Sequence, residues 1–268
     1  MRISILGCGW LGFPLAERFV SEDYRVHGST VTKDKIALLE PSGIIPFWIT
    51  LKPEATGDDM QAFLNSETLI VNIPPGRSRD DVYAFHTAQI RNLIEHIEKS
   101  PVNFVVFVSS TSVYPKTNKV VTENDAGNPE SDSGKALLEV EQMLMNNTHF
   151  DATIVRFGGL FGPERPSGRF LAGRKEVPNG SVPVNLVHRD DCIEILVEII
   201  KQDVRNEIFN ACCDDHPLRK DFYPEAAAKL GLEPPVFRYE EQSVPASKII
   251  SSEKLKKQLG YTFKHSLL

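Results

Sequence analysis

Gly7-Cys8-Gly9-Trp10-Leu11-Gly12 is a G-x-G-x-x-G run set between the apolar residues Ile3, Ile5 and Leu6 and the amphipathic stretch Phe13 to Val20. That spacing suits a strand turning sharply into a helix over a pyrophosphate. Gly7 permits the turn, Gly9 lets backbone approach phosphate, and Gly12 lets helix pack on strand. Trp10 and Leu11 then stand at a helix N-terminus, whose free N–H groups and partial positive charge attract an anion. The plainer reading of the same run is a glycine-rich turn with no ligand.

The second chemical signal lies about twenty residues further on, where an NAD-preferring site places an Asp or Glu on the ribose hydroxyls. This chain has Gly28-Ser29-Thr30-Val31-Thr32-Lys33 there. With no carboxylate to repel a 2′-phosphate, and with the Ser29 and Thr30 hydroxyls and the Lys33 ammonium to bind one, NADP is favoured over NAD. Against this stands Lys33 as an exposed first-turn residue, with Asp34 serving the helix N-terminus. A third signal is a cluster of cations, Arg165, Arg169 and Arg174. Guanidinium groups recognise phosphate or carboxylate in bidentate fashion, so Arg165 and Arg169 are candidate contacts to a small anionic substrate, with a solvated loop as the competing reading. Arg77 and Arg79 could reach a phosphate but read first as ion-pair partners of Asp80 or Asp81, and His86 and His96 read as solvent-facing or capping residues.

These groups need a framework, and the hydrophobic pattern supplies one. Strands are expected at Tyr24 to Thr30, Ile44 to Thr50, Thr68 to Ile73, Asn103 to Ser109 and Ala152 to Phe157. Between them lie a helix from about Asp80 to Lys99, with Val82, Phe85, Ile90, Leu93, Ile94 and Ile97 at helical spacing, and another from Gly134 to Met145. Alternation of this kind predicts an α/β fold, a doubly wound parallel sheet of Rossmann type with a small interleaved C-terminal substrate lobe. Residues 1–157 would form the dinucleotide-binding domain. Residues 158–268, richer in Pro and Gly at first, would form mostly the lobe, with 183–211 returning to the main domain.

Composition narrows the class. At 268 residues the chain can bury a full core, and its net charge of −6, with both signs interspersed, argues against a nucleic-acid partner. No apolar run is long enough to span a bilayer, and the N-terminus lacks a signal-peptide pattern, so a cytoplasmic location is expected. Cys8, Cys192, Cys212 and Cys213 lack metal-ligand spacing and read as buried thiols. No metal is expected.

Four further segments carry a resemblance: Val108-Ser109-Ser110-Thr111-Ser112-Val113-Tyr114, Arg156-Phe157-Gly158-Gly159-Leu160-Phe161-Gly162-Pro163, Asn185-Leu186-Val187-His188-Arg189-Asp190-Asp191 and Ile208-Phe209-Asn210-Ala211. Together with the glycine turn they resemble the short-chain dehydrogenase/reductase superfamily, as an atypical member of its NAD-dependent epimerase/dehydratase branch, which acts on nucleotide sugars. The resemblance implies that Thr111 or Ser110 polarises the reacting oxygen and that Lys135 bonds the nicotinamide ribose. It also implies cofactor contacts at Ile73 and Pro74 and at Phe157 and Leu160, and a homodimer through the two long helices. Asp191 corresponds to a residue that caps the next helix, and Tyr114 to a structural tyrosine.

One departure bears on function. The family's Tyr-x-x-x-Lys reads Ser131-Asp132-Ser133-Gly134-Lys135 here, so the acid/base phenol is replaced by a far less acidic hydroxyl. Three readings follow. Proton transfer passes to Tyr114, His188 or a substrate-bound water, or the reaction needs no Tyr, or the protein is a non-catalytic dinucleotide-binding or regulatory protein.

Overall fold

Runs such as Thr68-Leu69-Ile70-Val71 are apolar on both faces, the pattern of strands covered by helices on each side. The computed structural model describes residues 1–76, 79–239 and 245–267, and in it this run is buried at every position. The chain divides into two units. One comprises Met1–Val113, Gly127–Arg156 and Ile193–Phe209, the other Tyr114–Ala126, Phe157–Cys192 and Asn210–Leu268.

The elements follow in chain order: β1 (Arg2–Leu6), α1 (Gly12–Val20), β2 (Arg25–Thr30), α2 (Ile36–Leu39), β3 (Ile45–Leu51), β4 (Ala55–Gly57), α3 (Met60–Phe63), β5 (Thr68–Val71), α4 (Val82–Ile97) and β6 (Phe104–Ser110). Then come β7 (Val120–Val121), α5 (Asp132–Met145), β8 (Asp151–Phe157), β9 (Gly159–Phe161), β10 (Leu186–His188), α6 (Arg189–Lys201), β11 (Ile208–Ala211), α7 (Arg219–Lys229), β12 (Ile249–Ile250) and α8 (Glu253–Leu259). Eight strands form one sheet in the order β11-β8-β6-β5-β1-β2-β3-β4. β1 pairs in parallel with β5 and β2, β5 with β6, and β2 with β3. The doubly wound α/β expectation holds.

Three local differences have physical causes. Strand β2 starts at Arg25 because Tyr24 N still closes the end of α1 on Phe19 O. Strand β5 stops at Val71, short of the expected Ile73, where Asn72 turns its amide onto the glycine turn and Pro74 and Pro75 bring no N–H. The antiparallel edge strand β4 was not expected, since three residues carry too little alternation to stand out.

In the second unit, β9 pairs with β10 and β7 with β12, both in parallel. Its core gathers Phe161, Val184, Leu186, Cys213, Phe222, Ala226 and Leu267. All four cysteines are free and buried. Burial pushes the Cys8 thiol up to about 12 and the Cys192 and Cys212 thiols well above their usual value, which leaves them inert. Among the described residues no helix is long and apolar enough to cross a membrane.

Candidate functional site

The glycine turn is built as its spacing requires. Gly7 has φ +103°, and a Cβ there would lie 2.6 Å from Asn72 O. A Cβ on Gly12 would lie 2.1 Å from Gly7 O, so only glycine lets α1 start this close to the strand. At exposed Gly9 the situation reverses, with nothing within 4 Å of an added Cβ. Gly9 faces open space. No side chain caps α1, and its first turn holds no acidic residue, so the positive end of the helix is left for an external anion. Leu11 is buried and offers its backbone alone, whereas Trp10 is half-buried. Two side chains brace the turn: Ser29 Oγ accepts from Gly7 N at 2.9 Å, and Asn72 Nδ2 donates to Gly7 O at 3.0 Å.

The expected 2′-phosphate group is rearranged by these bonds. Ser29 is buried and committed to the turn, and Thr30 Oγ1 accepts from Thr32 N at 3.2 Å. Lys33 stays exposed, with its Nζ 4.0 Å from the centroid of the Trp48 ring. Trp48 was missed from the sequence, where an aromatic inside a strand looks like ordinary packing. Ile73 and Pro74 follow β5 beside the turn; the Ile73 Cγ2 methyl lies 3.3 Å from the position of a Cβ on Gly7. Arg79 pairs with Asp81 at 2.8 Å, while Arg77 lies outside the described residues.

At the end of β6 the hydroxyls have separate tasks. Ser109 Oγ donates to Glu141 Oε1 at 2.5 Å, and Arg156 meets the same carboxylate at 2.6 Å, with both charged residues almost wholly buried. This cluster ties α5 to β6 and β8. Neither charge was singled out in the sequence, although an Arg inside the apolar run of β8 was a visible signal. Ser110 Oγ accepts from Ser112 N at 3.2 Å and Thr111 is buried in the turn that follows. Ser112 Oγ is buried and, among the described residues, has no hydrogen-bond partner, a feature invisible in the motif.

Ser131, at the position of the family tyrosine, is the N-cap of α5 and accepts from Gly134 N at 3.1 Å. Lys135 Nζ lies 2.8 Å from Asp132 Oδ1 and lines a cavity of about 410 Å³ with Tyr83, Leu138, Glu139 and Gln142; Ser110 and Thr111 are not among its lining residues. The Tyr83 hydroxyl donates to Glu139, which pushes the phenol up, opposite to what a base needs. His86 corrects the expectation of a solvent-facing residue: it is fully buried, its Nδ1 lies 2.9 Å from Gln89 Oε1, and burial pushes it below the usual imidazole value. The α4 pattern hid this because a histidine was counted as polar.

In the second unit, Phe157 is buried and Leu160 half-buried, while Arg165 and Arg169 are exposed. Tyr114 is buried with its hydroxyl donating to Asn210 Oδ1 at 2.6 Å, the structural role expected. Asp191 does not cap a helix. It sits in the first turn of α6, buried, and its carboxylate accepts from Tyr261 Oη, Lys264 N and His265 N and lies 3.1 Å from His265 Nδ1. His188 stacks on His265 at 4.0 Å between centroids. Ligand atoms of His188, Asp191 and His265 fall within 4.8 Å of one another. Stacked rings hold their lone pairs in near-parallel planes, and Asp191 is already saturated, so the trio anchors the C-terminal segment instead of converging on a cation.

A model of the NAD dependent epimerase/dehydratase family matches residues 3–212. Protein YeeZ of Escherichia coli K12 is 35% identical over 266 residues, 98% of this chain and 96% of that protein. Among solved structures, UDP-glucuronic acid 4-epimerase from Bacillus cereus in complex with NAD is similar at TM-score 0.83 and 18% identity, covering 100% of this chain and 95% of that one. UDP-glucose 4-epimerase from Thermotoga maritima with UDP-glucose gives 0.80 and 17%, with the same coverage. At such identities the structural likeness concerns the fold.

Proposed function

The chain belongs to the NAD dependent epimerase/dehydratase family, and on that premise we propose that it binds a nicotinamide dinucleotide and acts as an atypical epimerase, dehydratase or reductase on a nucleotide sugar or similar anionic alcohol. The observation that carries the reading is the glycine turn: open space over Gly9 beside an uncapped helix N-terminus, a cradle that fits a pyrophosphate. When bound, the dinucleotide supplies hydride transfer at its nicotinamide. NADP is favoured over NAD, because no carboxylate stands at the end of β2 to repel a 2′-phosphate.

Gly7, Gly9, Trp10, Leu11 and Gly12 hold the pyrophosphate, and Ile73, Pro74, Phe157 and Leu160 line the cofactor. Ser110 or Thr111 polarises the reacting oxygen, and Lys135 holds the ribose after leaving Asp132, an exposed pair with little to lose. Arg165 and Arg169 take the substrate anion. The proposed working form is a cytoplasmic homodimer built on α4 and α5.

A second reading, binding without turnover, is favoured by Ser131, which is spent on the α5 cap where the family keeps its acid/base. Steady-state turnover with a panel of UDP-sugars and either nicotinamide cofactor separates the two. Catalysis predicts turnover that falls by about 100-fold or more in the Ser110→Ala, Thr111→Ala double variant. Undiminished turnover in that variant contradicts the roles given to these hydroxyls, and bound cofactor with no turnover across the panel favours the second reading.

A further inference from the structure

We propose that Trp48 sets the choice of cofactor, as the positioning residue that holds Lys33 at the end of β2 for a 2′-phosphate. The inference rests on the dinucleotide reading above and names the residues that decide between its two cofactors.

The sheet puts Trp48 at the right edge. In the parallel register Trp48 stands beside Thr30, the last residue of β2, and the same strand end reaches the glycine turn through Cys8 N to Ser29 O at 2.8 Å. An adenosine ribose leaving a pyrophosphate at that turn arrives at the end of β2. Of the three groups the sequence offers there, two are committed. Ser29 is buried with its Oγ accepting from Gly7 N, and Thr30 Oγ1 accepts from Thr32 N and donates to Thr32 O at 3.5 Å. Lys33 is the cation left, and a four-carbon stem on an exposed turn does not by itself hold an ammonium in one place.

Trp48 supplies the restraint twice. Its indole Nε1 donates to Val31 O at 3.2 Å, which fixes the chain immediately after β2. Its ring face then takes the Lys33 ammonium at 4.0 Å from the centroid. The backbone that carries the indole is held by Asp58: Trp48 N donates to Asp58 Oδ2 at 2.6 Å, and Asp58 N donates back to Trp48 O at 2.7 Å. An ammonium resting on a ring keeps N–H groups turned outward, and these meet a phosphate dianion far more strongly than the neutral diol of NAD. Asp34, next in the chain, is exposed in the first turn of the following helical segment.

Equilibrium titration with NADP⁺ and NAD⁺ tests this on the full chain. The wild type is expected to bind NADP⁺ at least about tenfold more tightly than NAD⁺. Lys33→Met and Trp48→Leu should each erase most of that ratio while leaving NAD⁺ affinity within about twofold, and Trp48→Phe, which keeps a ring face, should retain part of it. Equal affinities in the wild type overturn the inference. So does an unchanged ratio in Trp48→Leu, or a parallel loss of both cofactors, which assigns Trp48 to the fold alone. If the wild type binds neither, the dinucleotide reading itself fails, a different result from equal binding of both.

Discussion

Ser131 has an occupation in the fold that accounts for its presence. Its hydroxyl closes the first turn of α5 on Gly134 N, and Asp132 adds a negative charge where the helix dipole favours one. A tyrosine at the same place would bring a phenol and give up the cap. Loss of the cap in Ser131→Ala should cost about 1 kcal/mol, read as a lower urea midpoint at unchanged slope, and Ser131→Asn should recover most of it. Equal stability of Ser131→Ala and wild type would remove the cap from the account. The hydroxyls of β6 divide in a comparable way: Ser109 belongs to the buried Glu141–Arg156 pair, Ser110 to a turn, and Ser112 has a buried oxygen with no partner among the described residues. Residue types gave the motif, but not which hydroxyl does what, because that depends on the partners each one meets.

Among the elements, the glycine turn and the strands around it were the most legible, since Gly7 and Gly12 are demanded by backbone clashes that spacing alone encodes. What the spacing hid was long-range partnership. Ser29 lies 22 residues from Gly7 and Asn72 lies 65, yet both brace the turn. The segment from Tyr261 to His265 is another such case, wrapped on Asp191 at the start of α6 with His188 stacked on His265. Burial, with repulsion from His265 and Arg189, holds His188 below the usual 6.5, against the opposing pull of Asp190 and Asp191. Above that value folded and unfolded chains are both neutral at this site, and its contribution to stability is intact. As the pH falls below 6.5 the unfolded chain takes the proton more readily, and stability is lost until the folded value is passed. Urea midpoints measured from pH 8 to pH 5 should therefore fall more steeply in the wild type than in His188→Phe, which keeps a ring on His265 but carries no proton. Identical slopes would show that the stacked imidazole does not titrate in this window. His27 and His86, also held low by burial, add to the slope in both proteins and cancel in the comparison.

For the whole molecule, the doubly wound parallel sheet, the position of the glycine turn and the family were readable from the chain, because alternating apolar runs and glycine spacing are local signals; the order of the strands was not. Substrate and proton carrier were not, since they depend on which side chains converge. Tyr83 illustrates the point: it shares a cavity with Lys135, 52 positions away in the chain, yet its bond to Glu139 makes it a poorer acid/base than an ordinary phenol. The proposed function requires that the turn between β1 and α1 hold a dinucleotide. The most direct test is calorimetric titration of the purified, cofactor-stripped protein with NADPH and NADH, repeated on Gly9→Trp. With nothing within 4 Å of a Cβ at Gly9, a side chain can start there without a clash, and the bulk of an indole is expected to fill the space a pyrophosphate would take. Saturable binding, stronger for NADPH and abolished in a Gly9→Trp protein of unchanged melting temperature, is the predicted result. Absence of binding by the wild type, or equal binding by the blocked variant, would contradict it.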